Sequence, residues 1–130
     1  MAKARPRPTE AELAILGVLW SSGPSTVRQV HEALADARET GYTTTLKLMQ
    51  IMTDKGLVVR NERTRTHVYA ARVSRDVTQR QLVRDLVHRA FGGSATALVM
   101  QALSAHPASA DELAAIQQII KDYKKEGARK

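Results

Sequence analysis

The sequence predicts a mainly α-helical chain with one small β-hairpin, and three observations carry that prediction. Apolar residues recur at helical spacing through residues 9–55 and again from residue 77 onwards. Only residues 57–73 change to short runs rich in β-branched side chains. Strong punctuators separate the blocks: Gly23-Pro24, Gly56, Gly92-Gly93 and Pro107.

Two prolines in "ARPRP", residues 4–8, deny that stretch a helix, so residues 1–8 read as a flexible basic arm. Thr9 stands three residues before Glu12, the capping-box spacing, and Leu13, Leu16, Leu19 and Trp20 share one helical face behind it. "SSGPS" ends this helix. Ser25 is the expected cap of a second helix reaching about Ala37, with Val27, Val30 and Leu34 turned inward. After the turn "RETGY", a third helix runs through "YTTTLKLMQIMTDK" to Lys55 and stops at Gly56. "LVVR" and "HVYAARV" then flank the turn-length "NERTRT", which reads as a hairpin. Three short helices and a hairpin over residues 9–75 make a winged helix-turn-helix layout, with the third helix presented outward and the hairpin as the wing.

Residues 76–126 return to the helical period. Val77, Leu82, Val83, Leu86, Val87, Ala90 and Phe91 form a broad apolar stripe. "SATALVMQALSAH", which includes Leu98, is short and apolar. Ser109, three residues before Glu112, opens a last helix carrying Leu113, Ile116, Ile119 and Ile120 on one side. Three such helices expose more apolar surface than they can bury on one another, and a second copy usually completes a core of this kind. The segment therefore reads as a homodimerisation module with Leu82, Leu86, Phe91, Leu98, Ile116 and Ile120 at the interface. The alternative is a monomer that packs these helices on its own N-terminal domain.

Charge and composition narrow the function. The 130-residue chain has a net charge of +7. Residues 1–75 hold 12 Lys/Arg against 7 Asp/Glu, and residues 76–130 hold 8 against 6, so the excess sits in the first half. A polyanion partner there is the natural counterpart. There is no cysteine, which removes disulfides, thiolate metal sites and a Cys nucleophile. His31, His67, His88 and His106 are scattered without metal-ligand spacing, and neither a phosphate-cradling loop nor a catalytic triad is visible. The expectation is a binding protein without metal or cofactor, and not an enzyme. No apolar run approaches the roughly 18 residues of a membrane span, and "MAKARPRPTE" lacks the apolar core of a secretory signal, which points to the cytoplasm.

The third helix is the most informative element. At 100° per residue, Thr45, Leu48, Met49 and Met52 project to one side. Thr43, Thr44, Lys47, Gln50 and Asp54 project to the other, with Leu46 and Ile51 at the borders. Short hydroxyls at a helix start let a phosphate or base edge come close, and the free backbone N–H groups there attract anions. Threonine can also set its methyl against a thymine methyl, and Lys47, one turn on, can reach guanine or a phosphate. One of the three threonines is expected simply to cap the helix. In the hairpin, Arg60, Arg63, Arg65, Arg72 and Arg75 face a single Glu62. Arg63 and Arg65 fall at the tip, where a phosphate contact needs a reaching cation; Arg60 and Arg72 have neighbouring carboxylates as alternative partners, and Tyr69 belongs to the core. Winged domains also serve protein–protein assembly or RNA binding, and that alternative stays open here. Few exposed aromatics are available for stacking, which favours duplex DNA over RNA.

Taken in order, these segments resemble the penicillinase-repressor (BlaI/MecI) family of winged-helix transcriptional regulators, over roughly residues 8–122. "PTEAELAILGVLW" is similar to the family's first helix, "YTTTLKLMQIMTDKGLVVR" to its recognition helix and first wing strand, and "HVYAARVSRDVTQ" to the second strand and its exit. "AFGGSATALV" and "SADELAAIQQII" are similar to its dimerisation helices. The resemblance implies a homodimeric repressor on a palindromic double-stranded DNA operator, with helix contacts from Thr43, Thr44 and Lys47 and wing contacts from Arg63 and Arg65. Some members carry Arg where this chain has Leu46. The resemblance also implies a membrane-bound sensor metalloprotease that cuts the fifth helix at an Asn-Phe pair. The matching residues here are Gln101 and Ala102, a candidate cleavage region that departs from that pair. A copper-sensing branch uses a cysteine-rich tail, which a chain without cysteine cannot supply.

Overall fold

The structure is a computed structural model that describes residues 7–37 and 39–129, the side chains of residues 128 and 129 excepted. The arm expected over residues 1–8 lies outside the described residues apart from Arg7 and Pro8.

Helix α1 (Glu10–Ser22) starts where Thr9 and Glu12 close their capping box, with Thr9 N–H donating to Glu12 Oε1 at 2.8 Å and Glu12 N–H to Thr9 Oγ1 at 3.2 Å. It stops at Gly23, whose φ of 82° suits a residue without Cβ. Helix α2 (Val27–Leu34) is capped by Thr26, in reciprocal bonds with Gln29, and not by Ser25 as expected. Ser25 is committed elsewhere. Its N–H donates to Tyr69 O at 2.9 Å and its carbonyl accepts from Tyr69 N–H at 2.8 Å, joining the start of α2 to the hairpin. The helix also ends at Leu34 rather than Ala37, because residues 35–37 are exposed and have no packing to hold a further turn.

Helix α3 (Tyr42–Lys55) is preceded by Gly41, which offers no side-chain cap. The expected threonine cap is therefore corrected: Thr43, Thr44 and Thr45 all lie inside the helix. Thr45 turns back on the Gly41 carbonyl, through its N–H at 3.1 Å and Oγ1 at 3.3 Å. Burial of Thr45, Met49 and Met52 on one face sets this start, and a cap preference of about 1 kcal/mol cannot shift it. Gly56 closes the helix in a left-handed conformation, φ 82° and ψ 16°, and Leu57 N–H then reaches Met52 O at 2.9 Å.

Strands β1 (Val58–Asn61) and β2 (Val68–Ala71) form an antiparallel hairpin in which Arg60 stands opposite Tyr69 and Val58 opposite Ala71. Three helices follow: α4 (Arg75–Ala90), α5 (Ala95–Ala105), capped by Ser94, and α6 (Ala110–Arg129), where Ser109 Oγ accepts from Glu112 N–H at 3.1 Å.

The chain divides into two compact units between Gln81 and Leu82, inside α4, whereas the sequence pattern changes at residue 76. The first turn of α4 goes with the first unit: Thr78 is buried, Arg75 lies over the Trp20 ring at 5.8 Å, and its guanidinium donates to Ser21 Oγ at 3.2 Å. The core of the first unit is aliphatic around one aromatic ring. Ile15, Leu16 and Leu19 of α1 meet Val27 and Val30 of α2, Met49 and Met52 of α3, and Leu57, Val58 and Tyr69 of the hairpin. Trp20 borders it and donates Nε1–H to Val73 O at 2.9 Å. The second unit has no buried side chain among its described residues.

Candidate nucleic-acid interface

Helix α3 is packed on one flank and open on the other. Thr45, Met49 and Met52 are buried and Leu48 is half-buried, facing α1, α2 and the hairpin. Thr43, Thr44, Lys47, Gln50 and Asp54 are all exposed. No acidic residue occupies the first turn, so the positive end of the helix dipole stands beside short hydroxyls, with no carboxylate of that turn to repel an anion. Such a flank can enter a groove, place Thr43 and Thr44 against base edges or phosphates, and set Lys47 one turn deeper.

The hairpin tip is an ordered turn. Asn61 Oδ1 accepts from Arg63 N–H at 3.0 Å, and Thr64 Oγ1 donates to the Thr66 carbonyl. Arg63 and Arg65 are exposed on this tip and have no carboxylate partner among the described residues. Arg60 differs, because its guanidinium pairs with Glu62. The Tyr69 hydroxyl first, and Glu62 after it, hold Arg60 above its ordinary pKa. The wing's cations thus divide into one taken up by the hairpin itself and two at the tip without a described carboxylate. Arg72 makes no ion pair among the described residues.

The structure also brings in residues the sequence reading passed over. Tyr42, at the head of α3, is 42 % exposed, with the Arg28 guanidinium over its ring at 5.6 Å and His31 edge-on at 5.9 Å. Arg28 carried only a weak signal in the sequence, as a lone basic residue near the start of α2. Glu12, expected from its capping-box spacing, is buried at 2 % exposure. Burial pushes its carboxyl up, but bonds from Lys55 and Thr9 outweigh that and hold it below the ordinary value.

In the second unit, Leu86 and Ile120 are exposed, while Leu82, Phe91, Leu98 and Ile116 are half-buried. Val99, Met100, Ile119 and Tyr123 are exposed as well. Gln101 and Ala102 lie on α5 and are exposed. Among the described residues, no group of three or more His, Asp or Glu could hold a metal, and no helix is long and apolar enough to cross a membrane.

The sequence profile described as "Penicillinase repressor" matches residues 8–122. The chain belongs to the penicillinase repressor family. Two similar proteins are the "Transcriptional regulator BlaI" of Mycobacterium tuberculosis strains CDC 1551 and H37Rv, each 39% identical over 82 residues. Those residues are 62% of this chain and 59% of each relative's own length. Among solved structures, the DNA-binding domain of the repressor BlaI is similar, with a TM-score of 0.50 at 20% identity, over 57% of this chain and 90% of that one. The Bacillus licheniformis BlaI monomeric form in complex with the blaP half-operator matches equally, with a TM-score of 0.50 at 20% identity, over 58% and 92%. These likenesses show the fold, and for this penicillinase repressor family member it is the winged helix expected from the sequence.

Proposed function

We propose that this chain is a sequence-specific double-stranded DNA-binding transcriptional repressor that works as a homodimer on a palindromic operator. In this reading α3 lies in the major groove, Thr43, Thr44, Lys47 and Gln50 face the bases and nearby phosphates, and Arg63 and Arg65 of the wing hold the backbone. The observation that supports it best is the two-sidedness of α3, an exposed flank of short hydroxyls and one cation backed by a buried flank. A protein of similar fold, the Bacillus licheniformis BlaI monomeric form, has been solved in complex with a half-operator, which supports duplex DNA as the partner. Residues 9–75 then act as the DNA-reading part and residues 76–126 as the dimerisation part, the latter supported by the apolar side chains α4 to α6 leave in solvent. Two half-sites about one helical turn apart follow from a two-fold dimer.

A membrane-bound sensor protease enters this reading as a class of partner. Gln101 and Ala102 replace the Asn-Phe pair, so induction by a cut at Asn-Phe is not part of it. The deciding experiment is selection of duplexes from a random-sequence pool by the full chain, followed by a salt titration of the enriched duplex. Enrichment of a palindrome with steep salt dependence is expected. A chain that enriches no duplex, or captures a protein partner with salt-insensitive affinity, would refute the reading.

A further inference from the structure

The wing, α2 and the head of α3 enclose an open cleft of about 470 Å³. Arg28 lines it from α2, Tyr42 and Leu46 from α3, and Arg65 and His67 from the wing, beside the buried Tyr69. Neither arginine has a carboxylate partner among the described residues, whereas Lys55 and Arg60 in the same unit are both paired. Like charges gathered in one cleft repel each other until an anion stands between them. The Arg28 guanidinium sits over the Tyr42 ring at 5.6 Å, and His31 holds that ring edge-on with an interplanar angle of 83°. A guanidinium stacked on a ring face keeps its N–H edge available for an oxyanion. The walls are also tied: the paired Ser25–Tyr69 backbone bonds of 2.9 and 2.8 Å connect the start of α2 to β2.

We infer that this cleft seats one backbone phosphate of the duplex, shared by Arg28 and Arg65, with Tyr42 as the positioning residue for Arg28. The inference rests on the DNA reading above and deepens it. Thr43 and Thr44 directly follow Tyr42, so a phosphate anchored between α2 and the wing sets how far the exposed flank of α3 enters the groove. Phosphate contacts of this kind carry no base information; they set register and depth.

The test uses the full chain and the duplex it selects from a random-sequence pool, with each phosphate replaced in turn by an uncharged methylphosphonate. At one phosphate in each half-site, neutralisation is expected to weaken the wild type several-fold more than it weakens either Arg28→Ala or Arg65→Ala. Tyr42→Phe keeps the wild-type pattern, and Tyr42→Ala moves towards that of Arg28→Ala. Both arginines are exposed, so thermal melting of the two variants should match the wild type. If the variants lose sensitivity at different phosphates, or at none, the shared clamp is wrong while the DNA reading stands. Loss of the pattern in Tyr42→Phe would remove the ring's positioning role. A pool from which nothing is enriched would sink the DNA reading itself, and the clamp with it.

Discussion

Lys55 Nζ lies 2.6 Å from Glu12 Oε1, tying the last turn of α3 to the first turn of α1. The carboxylate is almost fully buried and also accepts from Thr9 N–H, while the Lys55 side chain is 31% exposed. One acidic residue therefore caps its own helix and anchors the C-terminal end of α3.

Removing the cation should leave Glu12 buried and only partly satisfied. Lys55→Ala is expected to cost about 1–3 kcal/mol of stability, read by denaturant unfolding. The pH dependence follows from the sign of the shift. Glu12 is held below its ordinary 4.5 in the folded state, so its contribution is complete above that value and disappears as pH falls through the lower, folded value. Glu12→Gln should flatten the acid limb of the stability curve. An unaltered acid limb would show that the pair contributes nothing.

On α3, Lys47→Ala and Thr44→Ala should each weaken binding to the selected duplex by about 1–3 kcal/mol in a band-shift titration, with the dimer intact. Both side chains are exposed, so the fold should be untouched. Unchanged affinity would take these residues out of the interface.

At the wing tip, Arg63→Ala with Arg65→Ala should lower affinity for every duplex alike. The plot of log affinity against log salt should flatten by about 0.9 for each phosphate the wing no longer neutralises. Arg60→Ala should have a much smaller effect, because Glu62 already occupies that guanidinium. An equal slope in the wing double variant would place the tip away from the backbone.

Ile120 is 49% exposed on α6. If a second copy covers it, Ile120→Asp puts a charge into an apolar interface and should yield a monomer by sedimentation velocity. Operator affinity would then drop, since each monomer engages a single half-site. A dimer that survives the substitution would place the interface elsewhere.

Local spacing alone determined much of this protein. The 3.6-residue period is enough to separate Thr45, Met49 and Met52 from Thr43, Thr44, Lys47 and Gln50, and Gly56 and the β-branched runs mark where helix becomes hairpin. Those signals are legible because a helix face and a turn are properties of consecutive residues. Tertiary structure decided the rest. Thr26 took the cap expected of Ser25 while Ser25 bridged Tyr69 through its backbone, Glu12 found a partner 43 residues away, and Arg28, Tyr42 and Arg65 met in one cleft. No local period encodes such meetings, since each depends on which elements pack together and which charges that packing leaves without a counter-ion.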